Sequence, residues 1–241
     1  MTITWLARLF GRTQALREIV LSPQQQRLIE EWQRLPAANP DTLHHRCRYV
    51  VVDVETSGLN MKRDRLISIG AVALVDGRID FKDAFQVVLR QDQVSSHENI
   101  LIHGIGGSTQ SSGAEPADAL LSFLRYTGKA PLVAYHAFFD QAMIEKAMLE
   151  FLGFKLEQSW IDLAWVLPDF FDYRTEARTP LDDWLGFLEI ENILRHNAVS
   201  DAYATAQLMQ VAIARGAQKG AATPASFLKI EKARRWMFES R

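Results

Sequence analysis

Apolar positions change their spacing along the chain, and the changes divide it into three stretches. Over the first, Ile3, Leu6 and Phe10 fall at helical spacing and Gly11 can end the turn. Ser22-Pro23-Gln24-Gln25 is a helix start, with Ser as N-cap, Pro at N1 and Gln at N3. Leu28, Ile29, Trp32 and Leu35 line one face of that helix until Pro36. Pro36 to Asp41 is turn-rich and reads as a linker.

In the middle, strands and helices alternate. Tyr49 to Val54 is β-branched and apolar on both faces, the pattern of a buried central strand. Leu66 to Val75 and Ile79 to Leu89 are two further strands, and Asp76-Gly77 between them is a hairpin signal. Ala114 to Tyr126 is helical and Leu132 to Tyr135 a short strand. Phe138 to Leu152 is a long helix ending at Gly153, and Trp160-Ile161 a last strand. Leu181 to Leu188 and Val199 to Ala214 are helices. Strands with a hairpin, followed by alternating helix and strand, specify an α/β domain with a mixed sheet. In the last stretch, Phe227, Ile230, Ala233 and Met237 repeat at helical spacing, with Lys229, Lys232, Arg234 and Arg235 between them. That pattern predicts a basic helix docked by its apolar stripe, with a nucleic-acid or partner contact as the alternative.

Charge sharpens this division. The chain of 241 residues has a net charge of −2. Residues 1–46 carry +2, 47–214 carry −9 and 215–241 carry +5. Hydrophobic residues make up 48% and charged residues 23%, which excludes a disordered or collagen-like chain. The single cysteine, Cys47, excludes an internal disulfide and fits a reducing compartment. No apolar run is long enough to span a bilayer and none reads as a signal peptide, so a cytoplasmic protein is expected.

Candidate chemistry lies in the acidic middle. Asp53 and Glu55 are two apart in a strand, so both point to one face, about 6–7 Å apart. Two acids aimed together from a buried strand repel each other unless a cation sits between them. Oxygen ligands favour hard cations such as Mg²⁺ or Mn²⁺. A strand end that exposes both acids to water is the alternative. Asp140 falls in the first turn of the helix after the fourth strand, where taken alone a helix-dipole role is the stronger reading. His196 and Asp201 would diverge by roughly 140° on one helix. Asp201 is therefore expected on the helix and His196 on the loop before it, where imidazole suits a general base. Asp162 reads as a helix N-cap, and Asp182 and Asp183 as first-turn acids. Trp160, Trp165 and Trp184 read as core. His44 and His45 read as solvated linker residues, and His97 earns no role.

Taken together these segments resemble the DEDDh branch of the DnaQ-like 3′→5′ exonucleases, the family of the epsilon subunit of bacterial DNA polymerase III. Asp53-Val54-Glu55-Thr56-Ser57-Gly58-Leu59 matches the first motif, Asp140 with Ala137 and Phe139 the second, and His196-x-Ala198-x-x-Asp201 the third. Ile102-His103-Gly104-Ile105 matches a further family segment. The resemblance covers about 47–214 and implies an RNase H-like fold, a mixed sheet flanked by helices. The stretches 1–46 and 215–241 are then helical extensions. It implies two divalent cations, Mg²⁺ or Mn²⁺, held by Asp53, Glu55, Asp140 and Asp201. It implies His196 as general base, with Thr56, Ser57, Gly58, Leu59 and His103 around the terminal nucleotide. DNA 3′ ends are the implied substrate; a stand-alone exonuclease and a proofreading or repair accessory of DNA polymerase III are both open as its role. RNA-end trimming is one alternative and a non-catalytic docking module another. The extensions are candidate contacts to a polymerase or a second protomer. Where the family commonly has His-Asn, this chain has Tyr135-His136. His136 is read as a structural strand-end residue, with contact to the leaving phosphate as the alternative.

Overall fold

The computed structural model describes residues 19–171 and 179–239. The predicted helix through Ile3, Leu6 and Phe10, and the partner contact expected of it, lie outside the described residues.

Helix α1 (Pro23–Arg34) begins at the predicted cap: Ser22 Oγ accepts from the Gln25 amide, and the Gln25 side chain accepts from the Ser22 amide. A reciprocal cap of this kind stabilises a helix by about 1 kcal/mol. Ile29 and Trp32 turn inward, and Trp32 Nε1 donates to the Gly128 carbonyl at 2.7 Å.

Five strands follow: β1 (Arg48–Thr56), β2 (Leu66–Val75), β3 (Arg78–Val88), β4 (Leu132–Ala134) and β5 (Trp160–Asp162). They form one sheet in the order β3-β2-β1-β4-β5. The first three are antiparallel neighbours, and β4 and β5 add in parallel beside β1. Asp76 and Gly77 both have positive φ, 53° and 76°, the backbone a two-residue hairpin demands.

Alternation along β1 sends its side chains into two layers. Val50, Val52 and Val54 pack with α1, α4 (Pro116–Thr127) and α5 (Phe138–Leu152). Tyr49 and Val51 pack with α6 (Leu163–Val166), α7 (Leu181–Phe187), α8 (Ala198–Gln218) and α9 (Pro224–Glu239). Asp53 and Glu55 continue the second series, so they leave the strand on the α8 side. Two short helices, α2 (His97–His103) and α3 (Gly107–Ser111), fill a stretch with no predicted element. No helix among the described residues is long and apolar enough to cross a membrane.

Two expectations need correction. His44 is buried rather than solvated: its Nδ1 lies 2.5 Å from the Tyr49 hydroxyl and its ring 4.3 Å from that of Phe227. Burial pushes its pKa down to about 4. The docked face of α9 also differs. Phe227 is fully buried, but Ala233 and Met237 are exposed while Arg234 is buried. Acids at the end of β5 and just beyond it draw the helix down by its arginines, a force that a hydrophobic pattern cannot register. Trp160 and Trp184 are core as expected, and Trp165 is half-buried beneath Phe238 and Arg235.

Candidate active site

The acids gather at the carboxyl end of β1. Asp53 pairs in register with Gly70 of β2, and Glu55 with Ser68. Gly70 has a specific task. A Cβ there would stand 2.3 Å from the Ala198 carbonyl carbon and 2.4 Å from the Val199 amide. Only a glycine lets the first turn of α8 lie this close to β2. Asn197 caps that turn through the Ser200 amide, and Asp201 sits one turn in. The result is that carboxylate oxygens of Asp53, Glu55 and Asp201 lie within 4.8 Å of one another.

Asp201 also organises the loop before α8. Its carboxylate accepts from the His196 amide at 3.0 Å, from Arg195 at 2.9 Å and from the Asn192 side chain. His196 sits on the turn, as expected, at φ 60°, with its imidazole exposed. Arg195 also pairs with Asp182, at 2.7 Å. Asp140, in the first turn of α5, is buried and accepts from the Val54 amide at 3.1 Å. It stands outside the closest trio, but its charge acts on both Asp53 and Glu55.

Burial and crowding make these acids hard to ionise together. Burial, then the charges of Asp201 and Asp140, pushes Glu55 up to about 8. Burial, then Asp140, Asp201 and Glu55, holds Asp53 well above the carboxylate range. Burial, opposed by backbone hydrogen bonds and aided by the nearby Asp162 charge, raises Asp140 to about 8. Glu55 Oε1 is buried with no hydrogen-bond partner among the described residues. An all-oxygen donor set, mutually repulsive and with one oxygen orphaned, fits a hard divalent cation.

A stability consequence follows. Glu55 titrates near 4.5 unfolded and near 8 folded, so between those values the folded state binds more protons. Folding stability of the metal-free protein therefore falls as pH rises through that window. Melting in the presence of a chelator should show this fall, and a divalent cation added near the top of the window should reverse it. A flat melting profile without metal contradicts the crowding.

The turn after the first motif is tied in place. Thr56 Oγ1 donates to the Gly58 carbonyl, and Ser57 Oγ to Asp64. A Cβ on Gly58 would meet the Asp64 carboxylate at 2.6 Å. Lys146 Nζ reaches the carbonyls of Met61, Lys62 and Asp64. Leu59 projects into solvent, 87% exposed. His103 is buried with both ring nitrogens engaged: Nδ1 accepts from the Ile105 amide and Nε2 faces Asn99 Oδ1. Asn99 in turn donates to the Thr56 carbonyl, so a hydrogen-bond chain through Asn99 links His103 to the turn. Asp162 caps α6 as expected. Sequence reading missed Gly70, Asp64, Asn99, Lys146 and Arg195. A glycine inside a β-branched strand was a signal for the first; the others act through partners distant in sequence or through loop geometry.

The model of the exonuclease family RNase_T matches residues 50–209. The chain belongs to that exonuclease family. It is 27% identical over 168 residues to a DNA polymerase III PolC-type of Thermotoga petrophila, covering 70% of this chain and 12% of the relative. It is 31% identical over 160 residues to the PolC-type enzyme of Caldanaerobacter subterraneus subsp. tengcongensis, covering 66% of this chain and 11% of the relative. The chain thus spans about a tenth of the length of the curated relatives it matches. Among solved structures it is similar to Exonuclease X in complex with 5′ overhanging duplex DNA. There the TM-score is 0.58 at 18% identity, over 76% of this chain and 99% of that one. It is also similar to cell-death related nuclease 4, TM-score 0.62 at 15% identity, over 73% of this chain and 67% of that one. The fold is therefore the RNase H-like fold of the DnaQ-like exonucleases.

Proposed function

We propose that this member of the exonuclease family is a divalent-metal-dependent 3′→5′ exonuclease acting on DNA ends. The observation that carries the reading is the convergence of Asp53, Glu55 and Asp201, with Glu55 Oε1 unpaired and His196 on the turn that Asp201 holds. Asp53, Glu55, Asp201 and the adjoining Asp140 would hold Mg²⁺ or Mn²⁺. When bound, such cations offset the negative charge that builds on the scissile phosphate.

The chain's own residues then have separate tasks. The His196 imidazole accepts a proton from the attacking water. The water oxygen bonds to the terminal phosphorus, the bond from phosphorus to the preceding 3′ oxygen breaks, and that oxygen takes up a proton from solvent. The products are a nucleoside 5′-monophosphate and a strand shorter by one nucleotide with a new 3′ hydroxyl. Thr56 to Leu59, braced by Asp64, Lys146 and the Asn99–His103 pair, would cradle the terminal nucleotide.

Substrate choice rests on the DNA named for the structural neighbours and the polymerase context named for the relatives. A proofreading or repair role beside a DNA polymerase is the matching biological reading. Matched DNA and RNA oligomers of one sequence test it. Shortening of DNA at the higher rate is expected. Shortening of RNA alone transfers the reading to RNA ends, since only contacts to the 2′ hydroxyl separate the two. Hydrolysis of neither, with metal supplied, leaves a docking module.

A further inference from the structure

Asp162 is 2% exposed at the end of β5, and its contacts tie the site to a helix beyond the family match of residues 50–209. Its Oδ1 accepts from the His136 amide at 2.9 Å and the Ala164 amide at 3.1 Å. Its Oδ2 accepts from Arg235 of α9 at 2.9 Å. Glu231, one turn earlier on α9, holds Arg235 Nε at 2.9 Å and accepts from the Asp162 amide at 3.0 Å. Arg235 also covers the Trp165 ring, 5.0 Å from its centroid. A buried carboxylate is tolerated only when paired, and Arg235 supplies the charge.

The other end of this network is the corner before α5. His136 stands at φ 60°, a left-handed conformation that costs a non-glycine residue about 1 kcal/mol or more. Its amide is held by Asp162, and its carbonyl accepts from the Phe139 amide at 3.2 Å inside the first turn of α5. Asp140 is the next residue, set against the Val54 amide of β1.

We propose that Arg235 is a positioning residue for the active site: by neutralising Asp162 it fixes the His136 corner and so places Asp140 against β1. The catalytic consequence rests on the function proposed above. The helix itself stays docked without Arg235, because Phe227 is fully buried and Arg234 pairs with Asp169 at 3.5 Å.

Arg235→Met is expected to lower kcat about tenfold, the lower end of the range for residues that orient ligands, with KM within about twofold of the parent. Amide hydrogen exchange should quicken at residues 136–140 and stay unchanged in β2 and β3. Arg235→Lys should recover most of the rate. In a double Asp162→Asn, Glu231→Gln background, where neither acid facing Arg235 needs compensation, Arg235→Met should cost nothing further. That background also removes the unpaired buried acid that would threaten folding. Unchanged kcat and unchanged exchange in Arg235→Met overturn the proposal. So does the same tenfold loss in the Asp162→Asn, Glu231→Gln background. If the parent protein hydrolyses no substrate, the functional reading falls while hydrogen exchange still decides the positioning role.

Discussion

Asp201→Asn is expected to leave a folded protein that releases no nucleotide. Asp201 is buried, and its carboxylate shares the space of Asp53 and Glu55. Asparagine keeps the size but only one acceptor oxygen, so it can serve either the His196 amide, which donates to Oδ2, or Arg195 and Asn192, which donate to Oδ1. It removes one of the charges that a hard divalent cation needs. It also removes one of the charges that raises Glu55, so Glu55 should titrate lower and the stability loss with pH in chelator should shrink. Activity loss would thus come with a cooperative melt whose fall with pH in chelator is smaller, which separates a lost ligand from a lost fold. Calorimetric titration with Mn²⁺ should show weakened binding. A fully active Asp201→Asn protein contradicts the assignment.

Gly70→Ala should damage both stability and turnover, although Gly70 touches no substrate. The added Cβ meets backbone atoms of Ala198 and Val199 at 2.3–2.6 Å, and backbone cannot step aside as a side chain can. Either β2 or the first turn of α8 must move. Overpacking of this kind costs about 1–3 kcal/mol. Because Gly70 is opposite Asp53, movement of α8 carries Asp201 away from its two partner acids. Urea denaturation read beside turnover tests this. A variant with parental stability and rate would show that the close approach is not needed.

Much of this site was legible because its chemistry follows local rules. The strand period places Asp53 and Glu55 on one face, and the rotation per residue forces His196 off the helix that carries Asp201. Asp76-Gly77 and Gly153 mark a hairpin and a helix end through positive φ, at 53°, 76° and 73°. Other features depend on partners far apart in sequence. Asp140 answers the Val54 amide, Lys146 the carbonyls at 61–64, and Arg235 a carboxylate at 162. A hydrophobic stripe therefore misread the docked face of α9, and a linker histidine became core once Phe227 covered it. The short α2 and α3 carry too little periodicity to register.

Net charge misleads in the same way. A chain at −2 looks indifferent to nucleic acid, yet the −9 of residues 47–214 includes the four acids of the proposed metal site. Once Glu55 and Asp140 ionise, above about pH 8, that centre repels a phosphate unless cations offset the charge.

The most direct test of this centre uses a 5′-labelled single-stranded DNA oligomer, with Mg²⁺ or Mn²⁺ and with chelator. The expected result is stepwise shortening from the 3′ end with release of nucleoside 5′-monophosphates, absent in chelator and absent in Asp201→Asn. Intact label in the presence of metal, internal fragments, or shortening that survives the chelator would contradict a metal-dependent 3′→5′ exonuclease.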